Sequence, residues 1–219
     1  NDKPVSGTEI LSLTKYIPEF DETKKGIIKT EIIEDYINDV LQKISLNHPE
    51  NLKVVVDCGN GAAGCVAPEL FKRLGCNVIN LFSEIDGNFP NHHPDPGKLE
   101  NLQDLIKAVK KEKANLGLAF DGDGDRVGLV TEKGNVVFPD KIMMLLAKDV
   151  LAKNSGGQII FDVKCSNYLA EIIIANGGKP IMSPTGHFHI KNKLRETNAL
   201  LAGEMSGHIF FNDNWYGFD

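Results

Sequence analysis

Apolar and polar positions along this 219-residue chain switch between a helical and a strand period, and the switches mark out its elements. Residues 1 to about 30 are mixed in character. From Ile28 to Ile44, the apolar residues Ile32, Ile33, Tyr36, Ile37, Val40, Leu41 and Ile44 recur at helical spacing. Asn47–Asn51 breaks the pattern. Leu52–Val56 is a β-branched run ending in Asp57-Cys58-Gly59-Asn60-Gly61, a strand that enters a turn. Ala63–Leu74 reads as a helix closed by Gly75, and Val78–Phe82 as a strand. A loop rich in Pro, Asn and His, Asp86–Lys98, precedes an amphipathic helix over Glu100–Lys111. Leu116–Phe120 and Arg126–Thr131 predict strands with an Asp/Gly loop between them, and Gly134-Asn135 is a hairpin signal.

The rhythm then repeats. Helices are expected over Lys141–Leu151, Tyr168–Asn176 and His187–Glu196, and strands over Gln158–Asp162, Gly178–Met182 and Ala199–Ala202. Strands separated by helices imply an α/β fold class: two consecutive α/β/α layered domains with mixed, largely parallel sheets. The boundary is expected near 135–140.

Composition narrows the partners. Hydrophobic residues make up 42% and charged residues 25%, as in a soluble globular protein. A net charge of −6 argues against a nucleic-acid partner but not against a small anion held by a few local cations. No apolar run approaches the roughly 20 residues of a membrane span, and the start carries no apolar signal region. Cys58, Cys65, Cys76 and Cys165 contain no CxxC pair, so free thiols in a reducing cytoplasm are expected. The absent initiator Met and the aromatic end, Trp215-Tyr216-Gly217-Phe218, suggest a piece of a longer protein.

The candidate chemistry is concentrated in four segments. Asp121, Asp123 and Asp125 place three carboxylates within five residues, with glycines between them that let the backbone bend. Like charges so close call for a hard divalent cation, and Mg²⁺ suits a few carboxylates plus a phosphate oxygen. A solvated acidic turn is the bland alternative. An EF-hand is excluded at its sixth position, where Arg126 replaces Gly. The serious rival is a haloacid-dehalogenase-like phosphatase with an Asp nucleophile, although its Thr position here is Asp125. Gly203-Glu204-Met205-Ser206-Gly207-His208 offers acceptors, a hydroxyl and an imidazole suited to a sugar ring; otherwise Glu204 forms a salt bridge and His208 is a core histidine. Thr185-Gly186-His187-Phe188-His189-Ile190-Lys191 opens a helix, where anion contact or capping is expected; the i,i+2 spacing of His187 and His189 is poor for a shared metal. Lys164, just past a strand end, suits phosphate binding or acid catalysis if it is not simply solvated, and Cys165 is expected to be inert. Asp57–Gly64 lacks the P-loop and dinucleotide patterns and reads as a tight strand-to-helix turn.

In order and spacing, these segments, with Val54–Gly61 and Asp86–Pro96, resemble the α-D-phosphohexomutases, and most closely the bacterial phosphomannomutase/phosphoglucomutase branch. The resemblance runs from about residue 30 to the end. It implies a four-domain, Mg²⁺-dependent, cytoplasmic phosphoprotein, an isomerase of carbohydrate metabolism. Such an enzyme moves a phosphoryl group between O1 and O6 of a hexose phosphate through a phosphoserine and a bisphosphosugar activator. It implies Asp121, Asp123 and Asp125 as metal ligands, and Arg126, Lys164 and His187 as catalytic residues. Gly186, Glu204, Ser206 and His208 would bind substrate, and Met205 favours the mannose/glucose branch. Residues 1–32 would be the tail of domain 1 and a linker, 33–136 the metal-binding domain, and 137–219 the sugar-binding domain. The family's Thr-Ala/Gly-Ser-His-Asn-Pro loop and its C-terminal phosphate loop do not occur here. Domains 1 and 4 would therefore be missing partners, and the chain alone would be inactive as a mutase. An alternative non-enzymatic reading is a sugar-phosphate-binding module. Phe188 and His189 depart from the small and aliphatic residues the family implies.

Overall fold

The computed structural model describes residues 5–16 and 31–212. The beginning of the expected 28–44 helix and the aromatic end lie outside these residues. Two sheets organise the rest.

The first sheet has the order β2-β1-β3-β4-β5. Strand β1 (Lys53–Asp57) is central and parallel to both β2 (Asn77–Leu81) and β3 (Leu116–Phe120). Strand β4 (Val127–Thr131) returns antiparallel to β3, and β5 (Val136–Val137) antiparallel to β4. Strand period and burial agree. Val55 points into one core with Leu105 and Val109 of the helix Gln103–Glu112, whereas Val54 and Val56 point into another with Ala67 of the helix Ala67–Arg73. Both faces of β1 are buried, as a central parallel strand requires.

The second sheet has the order β7-β6-β8-β9. Strand β6 (Gln158–Asp162) is parallel to β7 (Lys179–Ser183) and β8 (Leu201–Gly203), and β9 (Ile209–Phe211) folds back antiparallel on β8. Ile159 and Phe161 face the helices Pro139–Lys153 and Asn167–Ala175. Ile160 faces Ile190 and Leu194 of the helix His187–Thr197. Each sheet is thus covered on both faces, giving two α/β units with mixed sheets.

In chain order the helices are α1 (Gly7–Leu13), α2 (Ile33–Lys43), α3 (Ala67–Arg73), α4 (Gln103–Glu112), α5 (Pro139–Lys153), α6 (Asn167–Ala175) and α7 (His187–Thr197). Several depart from the expected bounds for physical reasons. The expected 63–74 helix is split: Ala62–Cys65 is a 3-10 turn and α3 restarts at Ala67. Pro68 has no N–H and its ring would clash with the carbonyl four residues back, so it fits only the first turn. Pro139 likewise sits in the first turn of α5, starting that helix two residues before the expected Lys141. The last expected strand begins at Leu201 rather than Ala199, because Asn198 closes α7 in the left-handed region at φ 52°. Helix α1 was not anticipated, although Ser6 and Glu9 form a reciprocal capping box at its start. No described helix is long and apolar enough to cross a membrane, and all four cysteines are free.

Candidate functional site

The Asp loop spans the turn from β3 to β4. Asp121 N–H donates to the Arg126 carbonyl at 3.3 Å, so the strand pairing continues to the base of the loop. Gly124, at φ 83°, takes the left-handed conformation that reverses the chain. The reversal brings ligand atoms of Asp121, Asp123 and Asp125 to within 4.8 Å of one another. Asp121 is buried at 2% exposure. Its Oδ1 accepts from Gly124 N at 3.1 Å and Arg126 N at 3.0 Å, and its Oδ2 accepts from Arg126 Nε at 2.6 Å. Burial pushes the Asp121 carboxyl up, but the Arg126 hydrogen bonds and charge outweigh it and hold it below the usual carboxylate range. Arg126 is raised in turn: burial lowers it, and the bond to Asp121 more than compensates.

This arrangement fits a hard cation. A carboxylate oxygen has two acceptor sites. Oδ1 of Asp121 is filled, whereas Oδ2 accepts one bond from Arg126 and keeps a lone pair for a metal. The same bonds fit a nucleophilic Asp121 poorly, since ion pairing with Arg126 draws off the electron density that an attack needs. The strands flanking the loop also exclude an EF-hand.

Two further segments hold the loop from below. Ala62 N–H donates to Gly122 O at 2.9 Å. A Cβ on Gly61 would meet Gly122 O at 2.7 Å and Asp121 O at 2.9 Å, so the Asp57–Gly64 turn packs backbone to backbone on the Asp loop. The 86–98 loop supplies Asp95, whose Oδ1 accepts from Arg126 Nη1 at 3.2 Å. His92 anchors that loop: its Nε2 lies 3.1 Å from Asp57 Oδ2, and its Nδ1 3.0 Å from His93 O. Asp57 is fully buried, and burial raises its carboxyl despite the opposing effects of His92 and of the Gly59 N–H. Sequence reasoning missed Asp57, His92 and Asp95 as positioning groups. Their signal was an acid at the end of β1 and a His/Asp-bearing loop too long to be only a connector.

The second half of the site gathers at the ends of β6, β7 and β8. Glu204 is 2% exposed. Its Oε1 accepts from Gly186 N at 2.6 Å and its Oε2 from Ser206 Oγ at 3.1 Å. Glu204 is therefore the clamp between the Thr185 segment and its own loop. Asp162, also missed, is a second clamp. Its Oδ1 accepts from Met205 N and Cys165 Sγ, each at 3.1 Å, and its Oδ2 from Thr185 Oγ1 at 2.8 Å. Burial and then Asp162 push the Cys165 thiol upward, which leaves it protonated and unreactive.

Gly186, at φ 121°, leads into α7 with His187 at its first position. The His187 ring stands edge-on to His208 and Phe210, with centroids 4.3 and 5.0 Å away. Its Nε2 lies 3.1 Å from His208 Nδ1. His189, two residues on, is exposed against Phe188. Lys164 is exposed on the turn after β6, with no described carboxylate within ion-pair reach.

The two halves meet. His208 Nδ1 is 3.7 Å from Asp125 Oδ1, and Val127 N–H points at Gly207 O at 3.5 Å. Asp121, Asp123, Asp125, Arg126, His187, Gly186, Glu204, Ser206 and His208 thus form one contiguous set, and Lys164, exposed on the turn after β6, takes part in none of these contacts. Beside them Met205 and Ser206 line a crevice with Pro96, Val127 and Phe138.

Comparison with known proteins agrees with this architecture. Residues 34–134 match the family description "Phosphoglucomutase/phosphomannomutase, alpha/beta/alpha domain II", and residues 138–219 match its domain III. The chain is 60% identical over 196 residues to a phosphomannomutase/phosphoglucomutase of Pseudomonas syringae, covering 90% of this chain and 42% of that protein. A namesake from Pseudomonas aeruginosa is 58% identical over 194 residues, covering 89% and 42%. A crystal structure of a phosphoglucomutase/phosphomannomutase family protein from Burkholderia thailandensis superposes with a TM-score of 0.83 at 55% identity, covering 86% of this chain and 41% of that one. The chain therefore spans less than half the length of the relatives it matches. With both α/β units matched in order, the chain belongs to the phosphoglucomutase/phosphomannomutase family.

Proposed function

We infer that this chain is the central part of a phosphohexomutase, an isomerase that interconverts hexose 1-phosphate and hexose 6-phosphate. The observation that carries the reading is the convergence of three carboxylates beside Arg126 at the end of β3. Phosphoryl transfer needs charge neutralisation and in-line placement more than covalent help from the protein. In this reading Asp121, Asp123 and Asp125 hold one Mg²⁺, which supplies positive charge next to the transferring phosphoryl group. Arg126, fixed by Asp121 and Asp95, presents the remaining guanidinium face to the same group. His187 lines the cleft and Lys164 reaches in from its margin. Ser206, His208 and the Gly186 backbone meet sugar hydroxyls, and Glu204 both contacts the sugar and sets the shape of the loop. Residues 33–136 act as the metal-binding domain and 137–219 as the sugar-binding domain. The phosphoserine, the bisphosphosugar handling and the terminal phosphate loop come from other parts of the full-length protein, which works in the cytoplasm. Mannose and glucose phosphates are the substrates that Met205 favours.

The test is mutase turnover by the full-length protein with Mg²⁺ and a bisphosphosugar activator. Asp123→Asn is expected to lower kcat at least about a hundredfold, the scale of losing one charge-stabilising group. Unaltered turnover in that variant would remove the metal assignment. Mutase turnover by the 219 residues alone would overturn the division of labour between this chain and the remaining domains.

A further inference from the structure

Asp125 belongs to two clusters. One is the carboxylate set with Asp121 and Asp123; the other joins it to His187 and His208, with all three ligand atoms within 4.8 Å of one another. We propose that Asp125, His187 and His208 form a second cation site, selective for Zn²⁺-class transition metals, that bridges the two α/β units and competes with the carboxylate site for Asp125.

The chemistry of the donors separates the two sites. Three carboxylates suit hard Mg²⁺, whereas two imidazoles and one carboxylate suit borderline ions such as Zn²⁺ and Co²⁺. The spacing suits them too. Ligands about 2.0–2.1 Å from a tetrahedral ion lie about 3.3–3.4 Å apart. Here His187 Nε2 and His208 Nδ1 are separated by 3.1 Å, and His208 Nδ1 and Asp125 Oδ1 by 3.7 Å, so two of the three edges lie within a few tenths of an ångström of that spacing, and the third lies within 4.8 Å. The fourth corner is left for water or an oxygen of a bound ligand.

The donors are also held in place, which lowers the cost of assembling them. Glu204 binds Gly186 N, directly before His187, and Ser206 Oγ, two residues before His208, so one carboxylate fixes both histidine segments. Phe210 packs edge-on against the His187 ring. The Gly207–Val127 contact sets His208 against the strand that follows Asp125. Because one carboxylate serves two sites, filling the histidine site pulls Asp125 from the carboxylate set and fastens the two units together. Zn²⁺ then acts as an antagonist of Mg²⁺ without displacing it ligand for ligand.

The test titrates the 219-residue chain with Co²⁺ alone and follows its visible d–d absorption, which reports nitrogen ligation and low coordination number. The unsubstituted chain is expected to give an intense tetrahedral-type band that Zn²⁺ abolishes. His187→Ala and His208→Ala are each expected to weaken Co²⁺ by more than the about 10- to 100-fold cost of losing an outer partner of a metal ligand. Asp123→Asn, which touches only the carboxylate set, is expected to leave the band intact. His187→Gln and His208→Gln, checked by circular dichroism, separate ligand loss from unfolding. No tetrahedral-type band in the unsubstituted chain would overturn the proposal. So would a band that survives both histidine substitutions or vanishes in Asp123→Asn.

Discussion

Asp121 accepts three hydrogen bonds from its own loop while almost wholly buried, and its ionised form is favoured by the fold. Because its folded pKa is depressed, its stabilising contribution is present above the ordinary carboxylate value of about 3.9. That contribution is lost as pH falls through the lower folded value. Metal-free chain is therefore expected to show an acid transition steeper than that of Asp121→Asn in urea midpoints taken from pH 6 to pH 2. Asp57 behaves oppositely: its folded pKa is raised, so its contribution is full below the ordinary value and fades as pH rises through the raised one. His92 offsets this by pairing with it. His92→Leu is expected to cost about 3 kcal/mol at pH 7, as when one partner of a buried pair is removed. That cost shrinks toward pH 4 as Asp57 takes up a proton, which thermal unfolding at the two pH values would show. Gly61→Ala should cost about 1–3 kcal/mol by overpacking and weaken metal binding measured by calorimetry, because its Cβ would press on the Gly122 and Asp121 carbonyls.

Among the elements, the β8–β9 hairpin carries much of the site in few residues. Glu204→Ala strips the acceptor from Gly186 N–H and Ser206 O–H. A loss of about 2 kcal/mol is expected from leaving such donors unpaired, with selective line broadening of the His187 and His208 side-chain resonances. Glu204→Gln keeps one acceptor and should recover most of the stability. Legibility in the sequence was uneven at this scale. Leu116–Phe120 and Gln158–Asp162 were readable to the residue, since uninterrupted apolar runs between turn residues have no competing period. Strand β9 was overlooked: Ile209-Phe210-Phe211 is three residues long, and only the hairpin with β8 makes it a strand. Strand β5 is shorter still. The break between the 3-10 turn and α3 depends on Pro68, which was visible but not used.

Over the whole molecule, the three carboxylates come from one segment and their supports from others. The three carboxylates were legible because they lie within five residues. The Asp95–Arg126 and Asp57–His92 links were not, because they join positions 31 and 35 residues apart that only the sheet order brings together. Asp162 was likewise mute until β7 and β8 placed Thr185 and Met205 against it. In the proposed reading the cation meets only the assembled loop, so Mg²⁺ should stabilise the folded chain by about 2.7 kcal/mol at a hundred times its Kd. A chelator, or Asp123→Asn, should abolish the corresponding rise in Tm.

The Ala62 amide lies outside the Asp loop yet donates into it, to the Gly122 carbonyl. Its proton can exchange with solvent only when the two turns part. That makes one backbone amide a clock for the opening of the Asp loop, readable by hydrogen–deuterium exchange without touching any of its carboxylates. Its slowing on cation binding would record how far the loop is already set before the ion arrives.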